Sequence, residues 1–161
     1  MKADKASKPA KPVLGPRTAA RLGAVQALYQ MDVVQAPVAD VLAEFGSWRL
    51  GDDFEAGQCG PADFAFLRDI VTGVLREQLT IDPLINDALA EGWSLNRLDS
   101  ILRAILRAGT FELAFRPDVP FKVIINEYVQ VAGAFFADDE YRFVNGALDR
   151  LARVVRAADF K

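Results

Sequence analysis

The side chains best suited to chemistry in this sequence cluster near its end, around an acidic and aromatic corner at residues 135–143. Asp139, Phe143, Gly146 and Arg150 are separated by four, three and four residues, a spacing that puts them on one flank of a helix. Aromatic rings that stack on bases, beside polar groups that accept hydrogen bonds from base edges, are the usual means of holding single-stranded RNA. The corner therefore indicates binding of an unpaired nucleic acid rather than catalysis.

The same corner also has a purely structural interpretation. Phe135 and Phe136 precede it, and at least one of them is expected in the core, while Asp139 could serve only as a helix cap. Gly146 costs a helix about 1 kcal/mol relative to alanine, and such a glycine is kept where another helix or a ligand comes close. Close helix packing is the commoner cause, so both interpretations stay open at this point.

A second set of candidate residues lies on the first predicted helix. Arg17 and Arg21 are four residues apart and share one helix face. Together with the lysines that precede them, they can meet several phosphates. Tyr29 lies further along the same helix. An exposed helix start and a core tyrosine explain these residues as well, and this helix by itself favours that simpler interpretation.

Catalytic and metal-binding functions find little support in the composition. The sequence has no histidine and a single cysteine, Cys59, so a near-neutral proton carrier, an internal disulfide and a zinc site are all unexpected. It also has no glycine-rich phosphate loop and no nucleophile elbow. Adjacent carboxylates at 52–53 and 138–139 more often solvate loops or cap helices than transfer protons. We therefore expect a protein that is not an enzyme and uses neither metal nor cofactor.

Charge is unevenly distributed along the chain. The formal net charge is −3, yet residues 1–21 carry six basic side chains against one aspartate, a local excess of +5 that leaves −8 on the rest. A basic end suggests an anionic partner, although a solvated tail that keeps the protein soluble explains it about as well. The low apolar content of residues 1–15 predicts a disordered basic arm.

No targeting or membrane signal accompanies this charge pattern. The lysine- and proline-rich N-terminus lacks the apolar stretch of a secretory signal. No run of about eighteen apolar residues occurs that could span a membrane. Cys59 is interpreted as an incidental residue of a reducing compartment. We expect a cytoplasmic protein without membrane contact.

The elements that must position the candidate residues are helices. Apolar residues recur at helical spacing, and no β-alternation is long enough to predict a strand. The first two predicted helices cover about 17–34 and 38–50, and Pro61 opens the third. The fourth is short: Asp82 caps it, Pro83 opens it and Gly92 ends it. The fifth and sixth cover about 96–115 and 118–136, and the seventh begins near Asp138 or Asp139. Residues 51–60 are predicted to be a loop. The result is an all-α fold, a single compact bundle of about seven helices at residues 16–157.

Four segments of the sequence carry a likeness to a known family. They are Ala20–Tyr29 (ARLGAVQALY), Leu102–Leu113 (LRAILRAGTFEL), Val119–Glu127 (VPFKVIINE) and Arg142–Asp149 (RFVNGALD). The first resembles the opening helix of the NusB family of bacterial transcription antitermination factors, the second its central helix, and the last two its strongest signatures. The likeness runs in order from about Arg17 to Val155.

This resemblance implies a small all-helical RNA-binding factor. Such proteins pair with NusE, a small-subunit ribosomal protein, and the pair binds the boxA element of ribosomal RNA leader transcripts. The complex helps RNA polymerase to resist termination. The family's RNA-contacting positions correspond to Arg17, Arg21, Tyr29, Phe135, Asp139 and Phe143 of this sequence.

Two departures from the family pattern and three alternatives accompany this hypothesis. Thr18 and Ala19 stand where many members have a denser arginine run, and Phe136 stands where a small residue is common. One alternative is a helical protein–protein adaptor whose RNA contact is incidental. Another is a homodimer that hides the RNA surface. NusB-like domains also precede a methyltransferase domain in some longer proteins, but 161 residues are expected to leave no room for that catalytic sheet.

Overall fold

The computed structural model describes residues 15–46, 63–137 and 139–161. Within these ranges the chain forms seven α-helices and no strand, which confirms the predicted all-α architecture. The helices are α1 (Pro16–Val34), α2 (Val38–Glu44), α3 (Phe64–Arg76), α4 (Gln78–Ala88), α5 (Ser100–Phe115), α6 (Phe121–Phe135) and α7 (Glu140–Val155), with short 3₁₀ turns at Leu95–Arg97 and Ala157–Phe160. Most of the predicted arm and the whole predicted loop at 51–60 lie outside the described residues. None of the described helices has the length and apolar content needed to cross a membrane.

Helix α5 is the centre of the bundle, and α1, α3, α4, α6 and α7 all pack against it. Two glycines allow this close packing. A Cβ at Gly73 of α3 would lie 2.2 Å from the ring of Phe111, and a Cβ at Gly109 of α5 would lie 2.9 Å from Leu148 of α7. Because cores are packed to the density of organic crystals, any larger residue at these positions would have to displace a neighbouring side chain.

The start of α4 differs from the prediction. Asp82 does not cap a helix, because α4 begins at Gln78 and continues through Pro83. The proline deprives the carbonyl of Leu79 of its intrahelical donor, but Leu79 is 94% exposed, so water can replace that hydrogen bond. The carboxylate of Asp82 instead accepts two hydrogen bonds from Arg107 of α5, at 3.0 and 3.1 Å.

Other helix limits shift by smaller amounts. Gly92 has a positive φ of 87° and lies in the turn after α4 rather than directly at its end. The predicted helix at 96–115 divides into a 3₁₀ turn and α5, because the side chain of Asp99 caps α5 by accepting from the N–H of Ile101 at 2.8 Å. Helix α3 begins at Phe64 after a similar cap by Asp63, and Pro61 lies outside the described residues.

A buried arginine fixes the carboxyl end of the bundle. Arg156, directly after α7, donates hydrogen bonds to four main-chain carbonyls at the end of α5 and in the turn that follows it; they belong to Glu112, Leu113, Arg116 and Val119. A cation at a helix carboxyl terminus also interacts favourably with the helix dipole. This contact orients the paired helices α6 and α7, and their junction at residues 136–139 lies at the opposite end of the pair.

Candidate nucleic-acid interface

Arg21, predicted to meet phosphate, lies in the core instead. Its side chain is 2% exposed, and it donates to both carboxylate oxygens of Glu112, at 2.8 and 2.9 Å. Tyr128 donates to the same carboxylate at 2.5 Å, and Glu127 lies 3.5 Å from the Arg21 guanidinium. Buried charges are stable only when they are paired and hydrogen-bonded. The expectation that Arg21 contacts RNA is therefore corrected, because its donors are inaccessible and bind carboxylates that α5 and α6 supply.

The protonation states of this network follow from its burial. Burial raises the pKa of Tyr128 well above its usual value, and the negative charge of Glu112 raises it further. For Arg21, burial alone would lower the pKa, but the hydrogen bonds and charge of Glu112 raise it overall. The phenol therefore stays neutral and the guanidinium stays charged at physiological pH, and the network joins α1, α5 and α6.

Arg17 is exposed, as a phosphate-binding residue must be. Its guanidinium lies 4.5 Å from the centre of the Phe66 ring, and that of Arg116 lies 5.0 Å from the same ring. Arg116 pairs with Asp69 and Asp118, and its hydrogen bond lowers the pKa of Asp118 to about 2. No ion pair to Arg17 is formed within the described ranges, so its charge is available to a ligand.

Two other predicted residues, Tyr29 and Phe135, line one cavity of about 340 Å³, here called cavity A. The remaining lining residues are Val25, Gln26, Gln30, Val34 and Ile101. Tyr29 is 39% exposed, which contradicts its interpretation as a core tyrosine. The Oε1 atom of Gln26 is buried and accepts no hydrogen bond from the described part of the chain. Cavity A is therefore lined by two aromatic rings and by a glutamine whose side-chain oxygen is buried without a donor among the described residues.

Phe143 lines a second cavity, here called cavity B, of about 460 Å³. Its other lining residues are Ala90, Trp93, Arg97, Leu98, Asp99, Leu102, Glu140 and Arg150. Ile101 belongs to cavity A and Leu102 to cavity B, so the two cavities flank the beginning of α5. The junction of α6 and α7 contributes to both, since Phe135 ends α6 and Glu140 begins α7.

Asp139 lies in this junction with an 84% exposed side chain. It occupies the N-cap position of α7, as expected for one of the two aspartates, but its side chain makes no capping hydrogen bond. The Nη1 atom of Arg142 lies 3.9 Å from the Oδ1 atom of Asp139. Asp138, the other predicted cap, lies outside the described residues. Phe135 and Phe136 both pack partly against the core, in agreement with the expectation that at least one would do so.

Gly146 follows Phe143 on the same flank of α7. A Cβ there would meet only the Nη1 atom of Arg150, at an ordinary contact distance of 3.5 Å. Close helix packing, the commoner cause of a helical glycine, therefore does not explain it. The backbone of α7 is open to an approaching ligand at this position.

Arg17 is separated from the two cavities. It precedes Tyr29 by twelve residues, which corresponds to about 18 Å along α1. The predicted continuous track from the front of α1 to the junction is therefore interrupted, because Arg21, the other predicted arginine, is buried. The structure brings together Tyr29, Phe135, Asp139 and Phe143 around the start of α5, and leaves Arg17 as an outlying cation.

Sequence reasoning missed three residues of these cavities. Gln26 is three residues before Tyr29, and that helical spacing could have placed both on one face. Trp93 follows Gly92 in a turn, where helical periodicity gives no information. Glu140 was not singled out beside the paired aspartates. The largest described cavity, about 820 Å³ between α6 and α7, contains none of the predicted residues.

Fold and surface together define an all-helical protein with two small, aromatic-lined cavities on either side of its central helix. The sequence model of the NusB family matches residues 18–153. The chain therefore belongs to the NusB family, as the resemblance predicted.

Curated relatives and solved structures agree with this assignment. A "Transcription antitermination protein NusB" of Nitrobacter hamburgensis is 54% identical over 144 residues, which are 89% of this chain and 90% of that relative. The protein of the same name from a Bradyrhizobium species is 56% identical over 88% of this chain and 83% of its own length. The structure of T. maritima NusB has a TM-score of 0.71 at 31% identity and covers 86% of this chain and 92% of its own.

One more distant structure shares the fold. A chain from a crystal structure of the antitermination factors NusB and NusE in complex with dsRNA has a TM-score of 0.71 at 21% identity, over 85% of this chain and 96% of that one.

Proposed function

We propose that this protein is a non-enzymatic, RNA-binding transcription antitermination factor. It binds unpaired, boxA-type leader RNA of ribosomal RNA transcripts together with the ribosomal protein NusE, in the cytoplasm. The observation that carries the proposal is that Tyr29, Phe135 and Phe143, which are far apart in the sequence, line two neighbouring cavities at the start of α5. Membership of the NusB family, whose curated relatives bear the name of antitermination proteins, supports it.

Each residue of the surface has a role in this proposal. Tyr29 and Phe135 form the walls for one base in cavity A, and Phe143 for another in cavity B, because base–aromatic stacking tolerates many sequences. Asp139 offers an exposed acceptor to a base amino group at the junction. Arg17 attracts the phosphate backbone from the far end of α1. Arg21 supports the surface indirectly, since its ion pair fixes α1 against α5.

The proposed protein partners are NusE and the RNA polymerase antitermination complex. A structural neighbour is described as NusB and NusE in complex with dsRNA. That complex supports RNA and NusE as partners in general, while the boxA element and the unpaired state of the RNA come from the resemblance and from the aromatic cavities. Self-association in the absence of NusE stays a prediction that gel filtration at several concentrations would test.

The test is a filter-binding titration with single-stranded leader RNA, with and without NusE. We expect Phe143→Ala to weaken RNA binding by about 1–3 kcal/mol, the range for one stacked base. Tyr141→Ala is the control, because Tyr141 is an aromatic residue of the same helix, 38% exposed, that lines the cavity between α6 and α7 and neither cavity A nor cavity B. It should leave the affinity unchanged.

Two results would contradict the proposal. Equal affinities for wild type and a folded Phe143→Ala variant would remove cavity B from the RNA surface. Binding of NusE without any gain in RNA affinity would favour the alternative, a helical protein–protein adaptor whose contact with RNA is incidental.

A further inference from the structure

We infer that cavity B selects an unpaired base that carries an exocyclic amino group, and that Glu140 is the residue that makes this selection. The inference rests on the proposed function and deepens it, since it assigns a base preference to one cavity. It adds the carboxylate of Glu140, which lines cavity B, to that of Asp139 as a group that reads a base.

The first observation is an unsatisfied acceptor. The Oε2 atom of Glu140 is buried, and no described group of the chain donates a hydrogen bond to it. Most buried polar atoms in proteins have a partner, and leaving one without a partner is unfavourable. The position of Glu140 in the first turn of α7 is electrostatically favourable, but that effect does not give this oxygen a donor. Glu140 is partly exposed and lines cavity B, so a rotation of its side chain would bring the oxygen to a donor on a bound ligand.

The second observation is the shape and lining of the cavity. Its volume of about 460 Å³ falls within the range of small-ligand sites. Trp93 and Phe143 supply aromatic surface, and Leu98 and Leu102 complete an apolar lining. Trp93 is 55% exposed, so its ring is accessible to a ligand in the cavity. A flat, aromatic ligand with a polar edge matches this lining.

The third observation is the charge at the edge of the cavity. Arg97 donates to the carbonyl of Gly92 at 2.6 Å and Arg150 to that of Ala88 at 2.7 Å. Both arginines line the cavity. Each of these bonds uses one of the five N–H groups of a guanidinium, so each side chain keeps donors for a phosphate. A nucleotide combines the flat base and the phosphate that this arrangement fits.

The carboxylate then determines which base is preferred. The amino groups of cytosine and adenine donate hydrogen bonds, and a glutamate accepts from them. Uracil carries a carbonyl oxygen at the corresponding position, which would face the carboxylate without a proton between them. Glu140 therefore favours cytosine or adenine over uracil in cavity B, while stacking on Trp93 and Phe143 contributes similarly for all bases.

The test compares the affinities of equal-length C, A and U homopolymer RNAs for wild type, Glu140→Gln, Asp149→Asn and Trp93→Ala. The wild-type ratio of C or A affinity to U affinity is the reference for each variant. We expect Glu140→Gln to reduce this ratio about tenfold, because the amide can donate to uracil as well as accept from an amino group. Asp149→Asn removes the same charge from a carboxylate of the same helix that lines neither cavity A nor cavity B, so it controls for the general gain in affinity when a carboxylate is lost. It should leave the ratio unchanged.

Trp93→Ala is a second test of cavity B. Because Trp93 would stack on any base, its loss should weaken binding of all three RNAs. An unchanged ratio in Glu140→Gln would overturn the inference, as would an equal reduction in Asp149→Asn, which would make the effect one of lost charge alone. Failure of all three RNAs to bind the wild type, or an unchanged affinity in Phe143→Ala, would instead refute the proposed function.

Discussion

Two arginines one helical turn apart have opposite environments in this protein. Arg17 is exposed over the Phe66 ring, whereas Arg21 is buried against Glu112, a residue 91 positions away in the sequence. Both are basic residues on one face of α1, so charge and spacing could not distinguish them. The distinction depends on a carboxylate that only the folded chain brings into contact.

Replacing these two arginines should therefore have different consequences. Arg21→Ala leaves the Glu112 carboxylate buried without its cation, and removal of one partner of a buried ion pair costs about 3–5 kcal/mol. Arg17→Ala removes an exposed side chain and should change the free energy of unfolding by about 0.5 kcal/mol or less. Urea unfolding of both variants, monitored by circular dichroism, measures the difference.

For variants that remain folded, Arg17→Ala should change RNA binding more than Arg21→Ala does, the reverse of their effects on stability. Arg17→Ala should flatten the salt dependence of RNA affinity by about 0.7 in log–log slope, the value for one lost contact to single-stranded RNA. If Arg21→Ala keeps wild-type stability and loses RNA affinity instead, Arg21 belongs to the RNA surface and its assignment to the core is wrong.

At the scale of helices, the sequence predicted most of what the structure shows. The helices follow from apolar spacing because α1, α3, α4, α6 and α7 each bury one stripe of side chains against α5, while α2 packs against α1. The start of α4 was predicted wrongly. An Asp-Pro pair is typical of a helix start, so Asp82-Pro83 predicts one. Local sequence does not show that Leu79 is exposed and that its carbonyl can bond to water instead. The side-chain caps that the structure shows belong to two other aspartates, Asp63 and Asp99.

The cavities could not be predicted from helical periodicity. Cavity A joins Tyr29 of α1 to Phe135 of α6, and cavity B joins Trp93 to Phe143 of α7. These contacts depend on how helices distant in sequence pack on α5. Spacing placed Asp139 and Phe143 on one flank of α7, but the pairing of Tyr29 with Phe135 was implied only by the resemblance to a family. The evidence for Glu140, a buried oxygen without a donor among the described residues, exists only in the folded chain.

The glycines of α3 and α7 test this account of helix packing. A methyl group at Gly73 would lie 2.2 Å from the Phe111 ring, and such overpacking costs about 1–3 kcal/mol. At Gly146 the nearest atom would be 3.5 Å away, so alanine there should stabilise the helix by up to about 1 kcal/mol. The same substitution in two helices thus has opposite expected signs, which equilibrium unfolding in urea would measure. Equal destabilisation of both variants would show that α7 packs against something at Gly146 after all.

At the scale of the whole molecule, Arg17 is separated from the aromatic surface of the two cavities. Cavities A and B lie around the start of α5, Arg17 lies at the far end of α1, and four of the six lysines are at positions 2, 5, 8 and 11. The rest of the chain beyond residue 21 is strongly acidic. Attraction of a polyanion therefore has to come mainly from the N-terminal part of the sequence, while the cavities supply contacts to bases.

Neutralising those four lysines tests the division of roles. Lys→Gln at positions 2, 5, 8 and 11 keeps the chain length and should flatten the salt dependence of RNA affinity by about 0.7 for each lysine that meets a phosphate, up to about 2.8 in total. Stability should not change, and the C-to-U affinity ratio should not change either, because phosphate contacts carry no base information. Filter binding at several salt concentrations measures both. The control is the pair Lys122→Gln and Lys161→Gln, which removes exposed lysines that line neither cavity A nor cavity B. A slope as steep in the fourfold variant as in this control would show that the basic arm acts only as a solvated tail.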